Sequence, residues 1–224
     1  MKPDLPRRAA AEFIGTAFLL AAIIGSGIMG DRLAAGNAAI TLLANSIAVG
    51  AALVALIVAF EKISGAHFNP AVTISAALIK EFKWSEVPAY LFAQVAGALA
   101  GVGTANLMFD LPLFSASTKV RAGSSQLLSE FVATFGLLAV IRCCSRLRPN
   151  AIPLAVGTYI AAAFWFTSST SFANPAVTLA RSMSDTFAGI RPADVTPFVA
   201  MQFLAAVIAT YLFRWLLKGR SDER

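Results

Sequence analysis

The sequence predicts an all-α membrane protein: six transmembrane helices plus two half-helices that meet at the midplane, arranged as an inverted 3+3 repeat. Three observations lead there. Of the 224 residues, 58% are hydrophobic and 13% charged, with a mean hydropathy of +0.72; a soluble domain carries about 25% charged residues. The apolar runs are long and continuous, which suits membrane helices and not the alternation of barrel strands. The tripeptide Asn-Pro-Ala occurs twice, at Asn69-Pro70-Ala71 and Asn174-Pro175-Ala176. The stretches around the two copies also match in order, so the chain reads as one channel-like domain over 1–224, with repeats at 1–110 and 123–218 and a connecting loop at 111–122.

The elements follow in chain order. Arg7 and Arg8 precede an apolar stretch as long as a full span, which predicts a first span over 9–29 rather than a cleavable leader. The second span covers 38–60. A half-helix then starts at Asn69: asparagine caps a helix through its side-chain oxygen, and proline already holds the backbone angle of a first turn. This run, 69–79, is about 15 Å long, half of a ~30 Å hydrocarbon core. Lys80-Glu81-Phe82-Lys83 stops it. The third span is 87–108. Pro112, Gly123 and several serines mark 110–125 as a loop. The fourth span, 127–141, is punctuated by Arg142, Arg146, Arg148 and Pro149. The fifth is 152–166, a second half-helix starts at Asn174, and the sixth span is 197–217.

The halves pair residue by residue. Ala11-Glu12-Phe13-Ile14-Gly15-Thr16 is echoed by Ser129-Glu130-Phe131-Val132-Ala133-Thr134, and Gln94 pairs with Gln202. With three spans per half, the second copy enters from the opposite side, and the half-helices meet from opposite faces. Net charge is +6. In a soluble protein that would suggest nucleic acid; here the basic residues sit in loops and tails, so no nucleic-acid role is expected. With the N-terminus inside, 13 of the 18 Lys and Arg face the cytoplasm, Lys2, Arg220 and Arg224 among them, and 5 face out. That predicts an inner (plasma) membrane protein with both termini cytoplasmic.

Physical chemistry suggests a use for the paired motifs. Two helix N-termini bring partial positive charge to one point, which repels cations. The asparagine amides, once their oxygens cap the helices, can donate to a neutral hydroxylated solute. Glu12 and Glu130 are acids within apolar spans and mark function, with no basic residue on either span to make a proton relay. Gln94 and Gln202 read as interhelical hydrogen-bonders, and Gly97 and Gly101 as sites of close helix packing. The adjacent Cys143 and Cys144 imply no disulfide framework. A single histidine and no nucleophile–base set argue against a metal site, a cofactor or an enzyme. A coupled secondary transporter, also built on inverted repeats, is disfavoured because no intramembrane acid–base pair is visible.

A doubled Asn-Pro-Ala between six spans resembles the aquaporin and aquaglyceroporin channels, over nearly the whole chain. The resemblance implies a homotetramer in the lipid bilayer and a supporting role for Glu12 and Glu130 on the loops that carry the half-helices. His67 is either a partly solvated loop residue or, as the resemblance implies, part of the inner pore mouth. Most of the family has arginine directly after the second Asn-Pro-Ala; here that position is Val177. Family spacing then implies an outer selectivity filter of Val49, Ala162, Ser171 and Val177, small, uncharged and without an aromatic ring. Arg181 either lines the outer vestibule one turn beyond Val177, or snorkels to headgroups or pairs with Asp185. The valine resembles the bacterial aquaglyceroporin branch of arsenic-resistance operons. That implies passage of arsenite, methylated arsenicals and glycerol-like solutes; the alternative is an ordinary water or glycerol facilitator.

Overall fold

The computed structural model describes residues 3–218. Lys2, Arg220 and Arg224 of the charge count lie outside the described residues. Six helices are long and apolar enough to cross a membrane. They are α1 (Leu5–Leu33), α2 (Ala38–Ser64), α4 (Val87–Met108), α5 (Ser124–Leu147), α6 (Ile152–Phe166) and α8 (Pro192–Leu216), with the half-helices α3 (Pro70–Leu78) and α7 (Pro175–Arg181) between them. Each start has a local cause. Asp4 accepts from the Arg7 amide ahead of α1, Asn37 from the amides of Ala39 and Ile40 ahead of α2, and a proline occupies the first turn of α4, α6 and α8. α2 ends at Gly65, whose φ of 92° few other residues tolerate. α3 and α7 hold 9 and 7 residues. At 1.5 Å per residue they reach about 14 and 10 Å, so end to end with their loops they make one crossing.

The halves are built alike. α1 packs on α2 and α4, α5 packs on α6 and α8, and α2 meets α6 across the pseudo-twofold. Close approach needs missing side chains. Gly50 and Gly157 face each other where α2 crosses α6, and a Cβ on either would run into the other's carbonyl oxygen. A Cβ on Gly97 or Gly101 of α4 would collide with the backbone oxygens of Phe13 or Ala17 on α1. Backbone cannot move aside as a side chain can, so Gly101→Val is expected to cost at least the 1–3 kcal/mol typical of overpacking. A lower thermal midpoint by circular dichroism in detergent is the expected readout; an unchanged midpoint would contradict the close crossing.

The fourth span differs from its expected boundary. Arg142 was expected to end it, yet α5 continues to Leu147 and Arg142 is only 8% exposed. The reason is tertiary: its guanidinium donates to the Glu81 carboxylate and to Ser75 Oγ, so the charge is held inside the bundle end.

Candidate functional site

The loops before α3 and α7 fold as twofold copies. Ala66 and Phe68 have φ of 49° and 48°, and Ser171 and Ala173 have 50° and 48°. Thr170 adds a fifth non-glycine residue, at 60°, and residues in this left-handed region need restraint. Two buried carboxylates supply it. Glu12 accepts from the amides of His67 (3.0 Å) and Phe68 (2.6 Å); Glu130 accepts from those of Phe172 (2.9 Å) and Ala173 (3.0 Å). Gln94 Nε2 donates to Glu12 and to Thr73 Oγ1, and Gln202 Nε2 donates to Glu130 and to Thr178 Oγ1. Each threonine donates in turn to the carbonyl of its capping asparagine. The glutamines thus tie α4 and α8 to the half-helices. Ser64 and Tyr90 join the first copy only: Ser64 Oγ donates to Glu12 and Tyr90 OH to the Ser64 carbonyl. Neither carried a signal in the sequence.

The asparagines do two things. Asn69 Oδ1 accepts from the Ala71 amide (2.9 Å), and Asn174 Oδ1 from the Ala176 and Val177 amides (3.0 and 3.3 Å). Contrary to the expectation that both amide groups are free to donate into the pore, each is partly committed. Asn69 Nδ2 donates to the Ala173 carbonyl (2.8 Å) and Asn174 Nδ2 to the Phe68 carbonyl (2.7 Å). Each motif therefore clasps the other's loop, and one N–H of each amide remains for the lumen that both side chains line.

That lumen has a volume of about 60 Å³. A water needs roughly 10–15 Å³ of such space, so the lumen has room for a short file of waters. His67, Val72, Leu137 and Ile141 line the half toward the termini, and Val49, Ser171, Val177 and Arg181 are in the wall of the other half. His67 Nδ1 bonds Thr73 Oγ1 at 3.0 Å, and its ring packs against Phe82 and Tyr90, so it is not a loosely solvated loop residue. Ser171 Oγ is enclosed and has no hydrogen-bond partner among the described residues.

Two expectations need correction. Ala162 is exposed on the outer face of α6; Ile160 and Phe164 take the lumen face. At about 100° per residue, a position two residues from Ile160 lies on the opposite side of the helix. Nor is the wall free of charge and rings. Phe164 and Phe172 line it, and so does Arg181. Arg181 is 2% exposed, so it does not reach headgroups. Nor does it pair with Asp185, whose carboxylate takes the Thr118 amide and hydroxyl. Its Nε donates to the Ala188 carbonyl, and its guanidinium lies 3.4 Å from the Phe172 ring centroid. Arg121, also buried, sits 4.9 Å from the same ring and donates to the Gly189 and Ser169 carbonyls. In the loop beside them, burial and then the Arg121 and Arg181 charges push the Lys119 ammonium down to about 8. This mouth is strongly electropositive. Cys143 and Cys144 line a separate groove on the outside of α5 and α6.

The Major intrinsic protein family matches residues 1–167. Aquaglyceroporin AqpS of Rhizobium meliloti is 54% identical over 215 residues, 96% of this chain and 92% of that one. Aquaporin NIP1-1 of Oryza sativa subsp. japonica is 40% identical over 133 residues, which cover 58% of this chain and 46% of that protein. The aquaglyceroporin structure from Plasmodium falciparum superposes with a TM-score of 0.71 over 94% of this chain and 96% of that one. At 21% identity, that likeness is one of fold.

Proposed function

Because the chain belongs to the Major intrinsic protein family, we propose that it is a passive membrane channel for small neutral polar solutes. Its substrates on this reading are water, glycerol-like polyols, arsenite and methylated arsenicals. The observation that carries the reading is Val177, facing the lumen with Ser171 and Val49 where the family resemblance expects arginine. Arsenite at neutral pH is the uncharged trihydroxide, and it offers hydroxyls to the amides of Asn69 and Asn174 and to Ser171 much as a polyol does. The filter is arginine-free at its narrow ring only. The charge has moved one turn outward to Arg181, where it faces arriving solutes, discourages cations and tolerates oxyanions such as methylarsenate. The half-helix dipoles add to the same field. The reading extends to a homotetramer in the inner membrane with both termini cytoplasmic, supported by the excess of Lys and Arg on that side.

Val177→Arg tests it in proteoliposomes by stopped-flow light scattering. The new guanidinium narrows the ring and adds a fixed donor fork. Water flux should persist, while glycerol and arsenite flux should fall by about tenfold or more, the ~1.4 kcal/mol that one added steric or charge barrier readily supplies. Equal passage of all solutes by both proteins would remove Val177 from the constriction. If the unaltered channel passes water and glycerol but no arsenical, it is an ordinary aquaglyceroporin.

A further inference from the structure

The two capping loops are twofold copies with one unequal tie. Ser64 stands five residues before Asn69, and Ser169 five before Asn174. Each serine Oγ accepts the amide two residues on, from Ala66 (3.1 Å) and Ser171 (3.3 Å). In the first copy the Ser64 carbonyl takes the Tyr90 hydroxyl at 2.7 Å. Tyr90 stands four residues before Gln94; four before Gln202 is Phe198, which has no hydroxyl to give. The Ser169 carbonyl is taken instead by Arg121 Nη1 at 3.0 Å. The first loop is thus tied to a spanning helix, and the second to the segment that connects the halves. Arg121 is firmly seated there. It is 8% exposed, its Nε donates to the Gly189 carbonyl (2.9 Å) and its main-chain amide to the Asp194 carboxylate (2.9 Å). The neighbouring carbonyl, of Ala188, is held by Arg181. Both guanidiniums lie on Phe172, Arg121 at 4.9 Å and Arg181 at 3.4 Å from the ring centroid. Phe172 and Arg181 line the lumen, and Arg121 does not.

We propose that Arg121 is a positioning residue of the outer constriction: acting through the Phe172 ring, it sets the width that decides which neutral solutes pass. The inference rests on the channel reading above. Glu130 holds Phe172 at its amide, and the two guanidiniums hold it at its ring. A shorter apolar side chain at 121 leaves space beside the ring and releases the Ser169 and Gly189 carbonyls. The ring and its loop can then retreat from the lumen. The wider passage favours a bulky solute more than it favours water.

Stopped-flow light scattering on proteoliposomes of the full-length protein gives the ratio of glycerol to water permeability. That ratio does not depend on how many folded channels a preparation holds. Arg121→Leu should raise it by about threefold or more, a factor that one loosened contact supplies. An unchanged ratio, with both permeabilities falling by one common factor or not at all, would leave Arg121 a brace for the fold alone and overturn the proposal. Phe172→Leu should raise the ratio by itself. Because Arg121 acts through the ring, adding Arg121→Leu to Phe172→Leu should change it no further. Effects that multiply in the double variant would show that the arginine does not act through Phe172, and overturn the proposal as well. If Arg121→Leu does not purify folded, Arg121→Lys decides. Lysine keeps a cation near the ring but cannot span both carbonyls, so the ratio should rise by about twofold, and an unchanged ratio overturns the proposal. An unaltered protein that passes neither solute would end the channel reading itself, and this inference with it.

Discussion

Arg181→Met is expected to raise the passage of cations and protons, which on the proposed reading the unaltered channel excludes. Arg181 is the one arginine or lysine in the lumen wall among the described residues. At about 4 Å and an effective dielectric constant near 20, two unit charges interact by roughly 4 kcal/mol. Even a third of that is a tenfold change in how often a cation enters. Methionine keeps the stem's bulk, so water flux should stay within about twofold. Proton flux under an imposed potential, followed with a pH dye inside proteoliposomes, should rise by about tenfold or more, because the lumen wall itself then keeps only the partial charges of the two half-helices, with Arg121 set back behind Phe172. The loss of the bond to the Ala188 carbonyl costs about 1 kcal/mol, which a thermal midpoint measures separately. A second variant separates charge from brace: adding Val177→Arg to Arg181→Met returns a guanidinium one turn deeper and should restore exclusion. Unchanged proton leak in Arg181→Met would assign exclusion to the half-helix dipoles, with Arg181 serving only to hold Ala188 and Phe172.

The six spans and the two half-helices were legible in the sequence because their causes are local. Apolar length makes a span, and asparagine followed by proline makes a helix start, whatever lies elsewhere in the chain. The misreadings share the opposite property. Arg142 reads as a boundary because a charge is costly in hydrocarbon; only its meeting with Glu81 and Ser75, far away in sequence, lets it stay inside. Arg181 could be placed one turn beyond Val177, but its partners, the Phe172 ring and the Ala188 carbonyl, depend on how the outer loops return over α7. Ala162 fails for a geometric reason. A family spacing carried across the irregular stretch between α6 and Asn174 need slip by only two residues to turn a lumen position into a lipid-facing one. The crossed bonds between Asn69 and Ala173 and between Asn174 and Phe68 exist only once the halves have docked.

Glu130→Ala should be among the most damaging single changes at the site. Its carboxylate takes the amides of Phe172 and Ala173 and the Gln202 side chain. The alanine leaves three buried donors unpaired, each costing about 1–3 kcal/mol, so a loss of at least roughly 3 kcal/mol is expected. For a chain of this size that corresponds to a fall of about 6–12 °C in thermal midpoint. Function should fail with it. Ser171 and Ala173 hold left-handed angles that cost about 1–2 kcal/mol each, and without the carboxylate the loop can relax out of them. Asn174 would then lose its hold on the Phe68 carbonyl, and Phe172 its place beneath Arg181. Glu12→Ala should behave alike, because Glu12 takes the amides of His67 and Phe68, Ser64 and Gln94 in the same way. Glu130→Gln separates bracing from proton transfer. Its amide keeps one acceptor oxygen but turns an NH2 toward N–H donors, so a brace predicts an intermediate midpoint with water flux lowered at every pH. A proton relay predicts instead a normal midpoint with pH-dependent flux lost. The second outcome would show that this buried acid does more than hold the loop in shape.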